Sequence, residues 1–203
     1  KGRSCKDVVF RYELMQKELG TAEDARVRKT KQKLSAALVG LLQEKAFSDI
    51  TPAQICEKAG INRSTFYRNY RNISQLKTEM ENKILSGVQW EGKLTDEATA
   101  MKNIAEQLGY IMEHKDLFQA LSADGFRDDI FDKIRDRAIA QARESYPVFE
   151  GVSQENAYED MSTYTICGAV GLVREWFLSG MKQDIDSFAA FLAKRIVEAL
   201  NEL

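Results

Sequence analysis

Apolar residues recur at three- and four-residue intervals along most of this 203-residue chain, and no stretch alternates as a strand would. The chain contains only two prolines, Pro52 and Pro147, so long stretches are free to be helical. The residues that interrupt the pattern include Gly60, Gly125 and Gly180. The sequence therefore predicts an all-α fold.

The most regular pattern predicts an amphipathic helix from Arg26 to about Lys45. Its apolar face consists of Leu34, Ala37, Leu38, Leu41 and Leu42. Further helices are predicted near residues 74–90, 96–113, 115–123, 127–145, 155–179 and 184–202. The predicted organisation is an N-terminal extension (1–25), a three-helix domain (26–80) and a larger helical body (81–203).

Between the first helix and residue 74 lies a short helix with a defined start and end. Thr51 is a favourable N-cap, Pro52 suits the first helical position, and Gln54 stands where a capping box needs it. Gly60 is a natural stop, and Asn62 is the predicted N-cap of the next helix. A helix, a tight glycine turn and a second helix form the helix-turn-helix arrangement.

On the helix after Gly60, the helical period turns Phe66 and Tyr70 inward and the polar and cationic residues outward. Arg63 lies in the first turn, where recognition helices meet base edges, and arginine can hold guanine through two hydrogen bonds. Short hydroxyls or a thymine-methyl contact from Thr65 can supplement that contact. Phosphates suit Tyr67, Arg68, Thr51 and the cluster Arg28, Lys29 and Lys31. The predicted DNA-binding residues are Arg28, Lys29, Lys31, Thr51, Asn62, Arg63, Ser64, Thr65, Tyr67 and Arg68. The alternative is a helical hairpin with a solvated cationic face.

Charge is distributed unevenly along the chain. Residues 26–81 contain eleven Lys and Arg against five Asp and Glu, a net of +6, whereas the residues from 82 onward have a net of −8. A basic segment joined to an acidic one indicates that one end meets a polyanion and the other does not.

The remaining chemistry-bearing residues form no recognisable site. Cys5, Cys56 and Cys167 are widely separated, and His114 has no partner at ligand spacing, so we predict no disulfide framework, no metal site and a reducing cytoplasm. We also predict no catalytic residue and no cofactor, because no carboxylate pair, catalytic triad or phosphate-binding loop is recognisable. We predict no membrane span, because the longest apolar run is too short to cross a bilayer and ends at Arg174.

The stretch "RKTKQKLSAALVGLLQEKAFSDITPAQICEKAGINRSTFYRNYRNISQL" resembles the DNA-binding domain of the TetR family of transcriptional regulators over about residues 26–80. The resemblance implies a homodimer whose two recognition helices enter successive major grooves of a double-stranded DNA operator. It also implies an effector-responsive C-terminal body. Ile73 departs from the pattern, since the family often has a phosphate-contacting lysine there, and that contact is not carried over.

The stretch "CGAVGLVREWFLSGMKQDIDSFAAFLAKRI" is similar to the terminal helices of a TetR subgroup that includes regulators of dihydroxyacetone kinase genes. In the family, the last two long helices form a four-helix dimer interface. Carried over, this implies an interface at Gly168, Leu172, Trp176, Phe188, Leu192 and Ile196. The same residues could instead belong to the core of one chain, and a long helix can serve both uses.

Aromatic residues of the body are candidates for an effector pocket, although aromatics at helical spacing more often form a core. The candidates are Phe118, Phe131, Tyr164 and Trp176. The leading hypothesis is a dimeric, sequence-specific repressor that responds to a small-molecule effector. The alternatives are an activator controlled by a protein co-regulator, a helical protein–protein adaptor and, least favoured, a small all-α enzyme.

Overall fold

A computed structural model describes residues 25–88, 96–122, 129–145 and 155–201, and all regular structure in these ranges is helical. The α-helices are α1 (Ala25–Leu42), α2 (Pro52–Ala59), α3 (Arg63–Asn69), α4 (Ile73–Gly87), α5 (Glu97–Glu113), α6 (Lys115–Ser122), α7 (Ile130–Ser145), α8 (Glu155–Leu178) and α9 (Ile185–Asn201). A 3-10 helix spans Phe47–Asp49. The all-α prediction is confirmed, and the predicted extension lies outside the described residues except for residue 25.

The chain divides into two compact units. The described part of the first, called here the basic unit, comprises residues 25–38 and 51–76. The second, called the body, comprises residues 39–50 and the chain from residue 77 onward. Helices α1 and α4 each contribute residues to both units. The boundaries inferred from the sequence, at residues 26, 80 and 81, stay predictions.

The predicted apolar face of α1 is buried in full. The helix ends at Leu42 rather than near Lys45, because the backbone then tightens. The N–H of Glu44 donates to the carbonyl of Leu41, three residues back, at 3.0 Å. The following 3-10 helix was not predicted from the sequence.

The core of the body is formed by buried residues from α4 to α9. Helix α5 packs most extensively against α9, and α7 against α8. Near its centre, the rings of Phe118, Phe131 and Phe177 contact one another with centroids 5.5 to 6.0 Å apart. Tyr110 lies directly against Gly87 of α4, where a larger residue would meet its ring.

Helix α7 begins at Ile130, later than the predicted start near residue 127, because Asp129 is positioned as its cap. Its Oδ1 accepts a hydrogen bond from the N–H of Asp132 at 3.0 Å. The predicted breaks at Gly125 and Pro147 lie outside the described residues.

The predicted break at Gly180 is confirmed. The residue has φ +89°, and its N–H donates to the carbonyl of Phe177 at 3.1 Å. The N–H of Met181 donates to the carbonyl of Trp176 at 2.8 Å. This pair of bonds is a Schellman motif, which terminates α8.

Two ion pairs connect α7 to its neighbours. In the described part of the chain, Glu81 and Asp129 are the only charged residues that are buried. Lys133 Nζ lies 2.6 Å from Glu81 Oε2, and an Arg174 guanidinium nitrogen lies 2.6 Å from Asp129 Oδ2. Because removing a carboxylate from water costs several kcal/mol, these ion pairs offset part of the cost of burying Glu81 and Asp129.

No helix in the described ranges has both the length and the apolar composition that crossing a bilayer requires.

Candidate functional site

The start of α2 is fixed by the predicted capping box. The N–H of Gln54 donates to Thr51 Oγ1 at 3.4 Å, and the N–H of Thr51 donates to Gln54 Oε1 at 2.9 Å. Pro52 occupies the first helical position, where its missing N–H leaves no bond unmade. The entry into the helix-turn-helix is therefore encoded locally, as the sequence predicts.

The turn after α2 is fixed by Gly60, which has the left-handed conformation φ +63°, ψ +42°. The N–H of Ile61 donates to the carbonyl of Cys56 at 2.9 Å, and that of Gly60 to Glu57 at 3.1 Å. These bonds form a second Schellman motif. A Cβ at Gly60 would meet no atom within 4 Å, so glycine is required here by its backbone conformation and not by lack of space.

Helix α3 has one buried and one exposed face. Phe66 is fully buried and Tyr70 is 1% exposed, with ring centroids 5.9 Å apart. Arg63, in the first turn, and Arg68, on the side away from these rings, are both exposed. Tyr67 stands between the faces at 56% exposure, with its ring edge-on to Phe66 at 5.4 Å. The helix is therefore anchored by aromatic rings and presents cations outward.

Asn62 occupies the predicted N-cap position of α3, but its side chain makes no capping hydrogen bond. Its backbone carbonyl accepts from the N–H groups of Thr65 and Phe66 at 2.9 and 3.1 Å. The prediction was thus correct in position and wrong about the role of the side chain. Thr65 is half-buried, whereas Ser64 is exposed.

The cations of α1 fall into two groups. Arg28 and Lys29 are exposed and, within the described residues, form no ion pair. Lys31 is half-buried, with its Nζ 5.8 Å from the centroid of the Tyr70 ring. Lys31 therefore connects α1 to the end of α3 through a cation–π contact.

The charged residues of the basic unit are almost all positive. All ten predicted DNA-binding residues fall in this unit. Its described residues contain nine Lys and Arg and a single acidic residue, Glu57, which gives a net charge of +8. Lys33 and Arg71, both exposed, were left out of the predicted site. The signal that could have included them is their nearness to predicted residues, since Lys33 follows Lys31 and Arg71 follows Arg68 in the sequence.

Cys56 is a buried thiol of the basic unit. Burial raises the pKa of the Cys56 thiol above its usual value, and the nearby positive charge of Arg63 opposes that shift. Cys56 therefore stays protonated and behaves as a small apolar residue. Cys167, on α8, is exposed.

The body contains a small apolar cavity with a volume of about 40 Å³, bounded by Val88 and by residues of α5, α7, α8 and α9. Of the four predicted effector-pocket residues, Phe131 lines it. Phe118 and Trp176 are buried elsewhere in the core, and Tyr164 is 77% exposed. The structure therefore does not bring the four together.

The residues predicted at a dimer interface also divide. Trp176, Phe188 and Leu192 are at most 5% exposed and belong to the core of the chain itself. Ile196 is half-buried, whereas Gly168 is exposed and Leu172 is 45% exposed. Among the side chains that the structure describes, the large apolar residues that α8 and α9 leave exposed are Tyr164, Leu172, Leu178 and Phe191, a set that shares only Leu172 with the prediction.

Among residues 25–88, 96–122, 129–145 and 155–201, no group of three or more His, Cys, Asp or Glu side chains is placed to hold a metal ion.

The sequence matches no protein-family model and no curated protein. Several solved structures nevertheless share its fold. A TetR transcriptional regulator from Streptococcus agalactiae 2603V is 18% identical with a TM-score of 0.60, over 85% of this chain and 96% of that one. A TetR-like transcriptional regulator from Rhodococcus sp. RHA1 is 19% identical with a TM-score of 0.57, over 86% and 97%. The dihydroxyacetone kinase operon activator DhaS is 14% identical with a TM-score of 0.55, over 86% and 97%.

At identities of 14% to 19%, the similarity to these structures establishes the fold of this chain. The chain has the fold of TetR transcriptional regulators along most of its length, as the resemblance implied.

Proposed function

We propose that this protein is a dimeric transcriptional regulator that binds a specific double-stranded DNA operator. The observation that carries the proposal is the basic unit: a net charge of +8 combined with a helix-turn-helix whose α3 is anchored by Phe66 and Tyr70 and exposes Arg63 and Arg68. An accumulation of exposed cations on such a scaffold suits a polyanion with a groove.

The roles proposed for Arg63, Tyr67 and Arg68 follow from their positions on α3. Arg63, at the first position of the helix, reaches base edges in the major groove and can hold guanine O6 and N7 together. Arg68 and Tyr67, further along the helix, contact phosphates. Arg28 and Lys29 of α1 add phosphate contacts, which set the position of the protein without reading the sequence.

The experiment that tests this function is a titration of the protein against labelled DNA from its own upstream region at several salt concentrations. We expect affinity to fall steeply with salt, by about 10³- to 10⁵-fold between about 50 and 200 mM if six to ten phosphates are contacted. A shuffled DNA of the same length should bind more weakly at every salt concentration. Equal binding to both DNAs, or no salt dependence, would contradict the proposal.

The proposed dimer forms through the open face of α8. Tyr164, Gly168 and Leu172 follow one another at four-residue intervals, and Gly171 is three residues after Gly168. All four are exposed, so they share one side of the helix. The two glycines allow a second helix to approach closely. Two copies joined in this way would present two recognition helices, which requires half-sites about 34–36 Å apart or a related helical spacing.

Leu172→Glu tests the dimer, because it places a charge in the proposed interface. We expect light scattering to show a monomer and the affinity for a two-half-site operator to fall at least tenfold. Met112→Glu is the matched control, since Met112 of α5 is 46% exposed and Leu172 is 45% exposed. Equal behaviour of the two variants would exclude this face as the interface.

Regulation is proposed to act as repression that a small molecule relieves. An effector that binds one arrangement of the two units more tightly than the other shifts the population toward it and changes operator occupancy. Activation through a protein co-regulator is the second candidate, because DhaS, which shares the fold, is an operon activator. Reporter transcription with and without the gene distinguishes the two by its sign.

A further inference from the structure

Helix α3 depends on contacts with the rest of the basic unit for its orientation. It has only seven residues, Arg63–Asn69, and a helix of that length is not stable on its own. The side chain of Asn62 makes no capping hydrogen bond at the start of α3. The anchors of the helix are Phe66, which is fully buried, and Tyr70, which follows its last residue and is 1% exposed. A contact that holds these two rings in place therefore also holds the residues that face the DNA.

Lys31 of α1 lies over one of these rings. Its Nζ is 5.8 Å from the centroid of the Tyr70 ring, and the centroid of that ring is 5.9 Å from the centroid of the Phe66 ring. The Phe66 ring in turn contacts the ring of Tyr67 edge-on at 5.4 Å, and Tyr67 is exposed on α3. A positive charge on α1 is thus connected through two buried rings to an exposed side chain of α3.

Lys31 lies on a different side of α1 from the lysines near it. Lys29 and Lys33 are each two positions away, which turns them by about 200° around the helix, and both are exposed, whereas Lys31 is half-buried. We propose that Lys31 is a positioning residue, which holds α3 against α1 through Tyr70 and does not bind a phosphate itself. This role rests on the proposed DNA-binding function and identifies a contact that orients the recognition helix.

A phosphate contact and a positioning contact differ in what their removal changes. A lysine that binds a phosphate releases counterions, so its loss lowers the salt slope by about 1 and weakens binding to all DNA sequences about equally. Loss of a positioning contact leaves the number of contacted phosphates unchanged, so the salt slope should stay the same. Its effect should fall on Arg63, since two hydrogen bonds to one guanine require a fixed geometry. Binding to the preferred DNA should therefore weaken most.

The test compares Lys31→Met with Lys29→Met in the full chain, by titration against upstream DNA and shuffled DNA at several salt concentrations. Methionine keeps an unbranched apolar side chain and removes the charge in both variants. We expect Lys31→Met to weaken binding to upstream DNA by about 2- to 30-fold, the range of a cation–π contact, with an unchanged salt slope and little loss on shuffled DNA. Lys29→Met should lower the salt slope by about 1 and weaken both DNAs about equally.

Further variants test whether Lys31 acts through the ring of Tyr70. Lys31→Arg should keep the preference for upstream DNA, because a guanidinium can lie over the same ring. In a Tyr70→Leu background, which has no ring at this position, Lys31→Met should cause no additional loss. If Tyr70→Leu does not fold, Tyr70→Phe takes its place. That background keeps the face of the ring, so Lys31→Met should weaken binding to upstream DNA about as much as it does in the wild type.

The outcomes separate the role of Lys31 from the proposed function. Binding is measured well below the melting temperature of each variant, so that all of them are folded. An equal loss on both DNAs, a lower salt slope for Lys31→Met, no loss at all, or an additive loss in the Tyr70→Leu background would overturn the positioning role alone, because the wild type would still prefer upstream DNA. A wild-type chain without that preference would contradict the proposed function and, with it, the role of Lys31.

Discussion

The basic unit and the body use charge in opposite ways. In the basic unit, Arg28, Lys29, Arg63 and Arg68 are exposed and form no ion pair within the described residues. In the body, Lys133 and Arg174 are both used inside the fold, where they bind the buried carboxylates of Glu81 and Asp129. A net charge of −2 for the whole chain hides this division.

This contrast identifies the cations that are available to a binding partner. Exposed charges that are not paired contribute little to folding, so their removal should leave stability almost unchanged. A cation that neutralises a buried carboxylate holds helices together, and its removal should destabilise the fold. Substitutions in the two units should therefore have opposite signatures in stability and in binding.

Removal of the Arg174 side-chain charge should have the largest effect on stability. Arg174→Met leaves Asp129, whose side chain is 1% exposed, without its cation. We expect the free energy of unfolding to fall by about 3 kcal/mol, measured by urea unfolding. Arg135→Met is the control, because Arg135 pairs with the more exposed Asp132 and Asp136, and it should cost less than about 1 kcal/mol.

A second substitution identifies the cause of that loss. Asp129→Asn in the Arg174→Met background removes the unpaired charge but keeps an oxygen for the cap of α7, so part of the lost stability should return. A cost for Arg174→Met no larger than that for Arg135→Met would remove the contrast between the two units.

Gly60→Ala should have an intermediate effect on stability. Because φ is +63° and no atom lies near the added Cβ, the cost comes from backbone strain alone, about 1–2 kcal/mol in the free energy of unfolding. Gly60→Asn should cost less, since asparagine tolerates the left-handed region better. Equal costs for Ala and Asn would indicate that the turn is limited by something other than backbone strain.

The pH dependence associated with His114 should be the smallest of these effects. Burial lowers the pKa of His114 from its usual 6.5, Lys83 reinforces the shift and Glu113 opposes it. As the pH falls, the unfolded chain therefore binds a proton at His114 at a higher pH than the folded chain does. The free energy of unfolding is consequently highest above the unfolded pKa and falls as the pH decreases through the folded pKa. Urea unfolding from about pH 7.5 to about pH 5 should show a shallower decline for His114→Gln than for the wild type. Identical declines would exclude His114 as the titrating group.

The helix-turn-helix could be predicted from the sequence because its signals are local. Thr51, Pro52 and Gln54 fix one helix start, and Gly60 fixes the turn, within ten residues of one another. The fold class could also be predicted, since it depends on a repeated apolar period.

The ion pairs and the cavity could not be predicted in the same way. Glu81 and Lys133 are 52 positions apart in the sequence, and their pairing depends on how α4 and α7 pack. The only sequence signal was a charged residue next to the buried stripe of α4. Likewise, Trp176 lies on the apolar face of α8 and Phe188 on that of α9, and their rings contact each other. The apolar period of a helix does not tell whether such a face packs within one chain or against a second copy.

The most direct test of the central claim is the affinity of Arg63→Ala for upstream DNA and for a shuffled DNA, measured beside Lys29→Ala and Arg137→Ala. Arg137, exposed on α7 of the body, is the matched control and should cause no loss. Lys29→Ala should weaken both DNAs about equally and reduce the salt slope by about 1. Arg63→Ala should weaken binding to the preferred DNA by about 5- to 150-fold, with little loss on shuffled DNA. An equal loss on both DNAs, or no loss, would contradict the assignment of Arg63 as the residue that reads the operator.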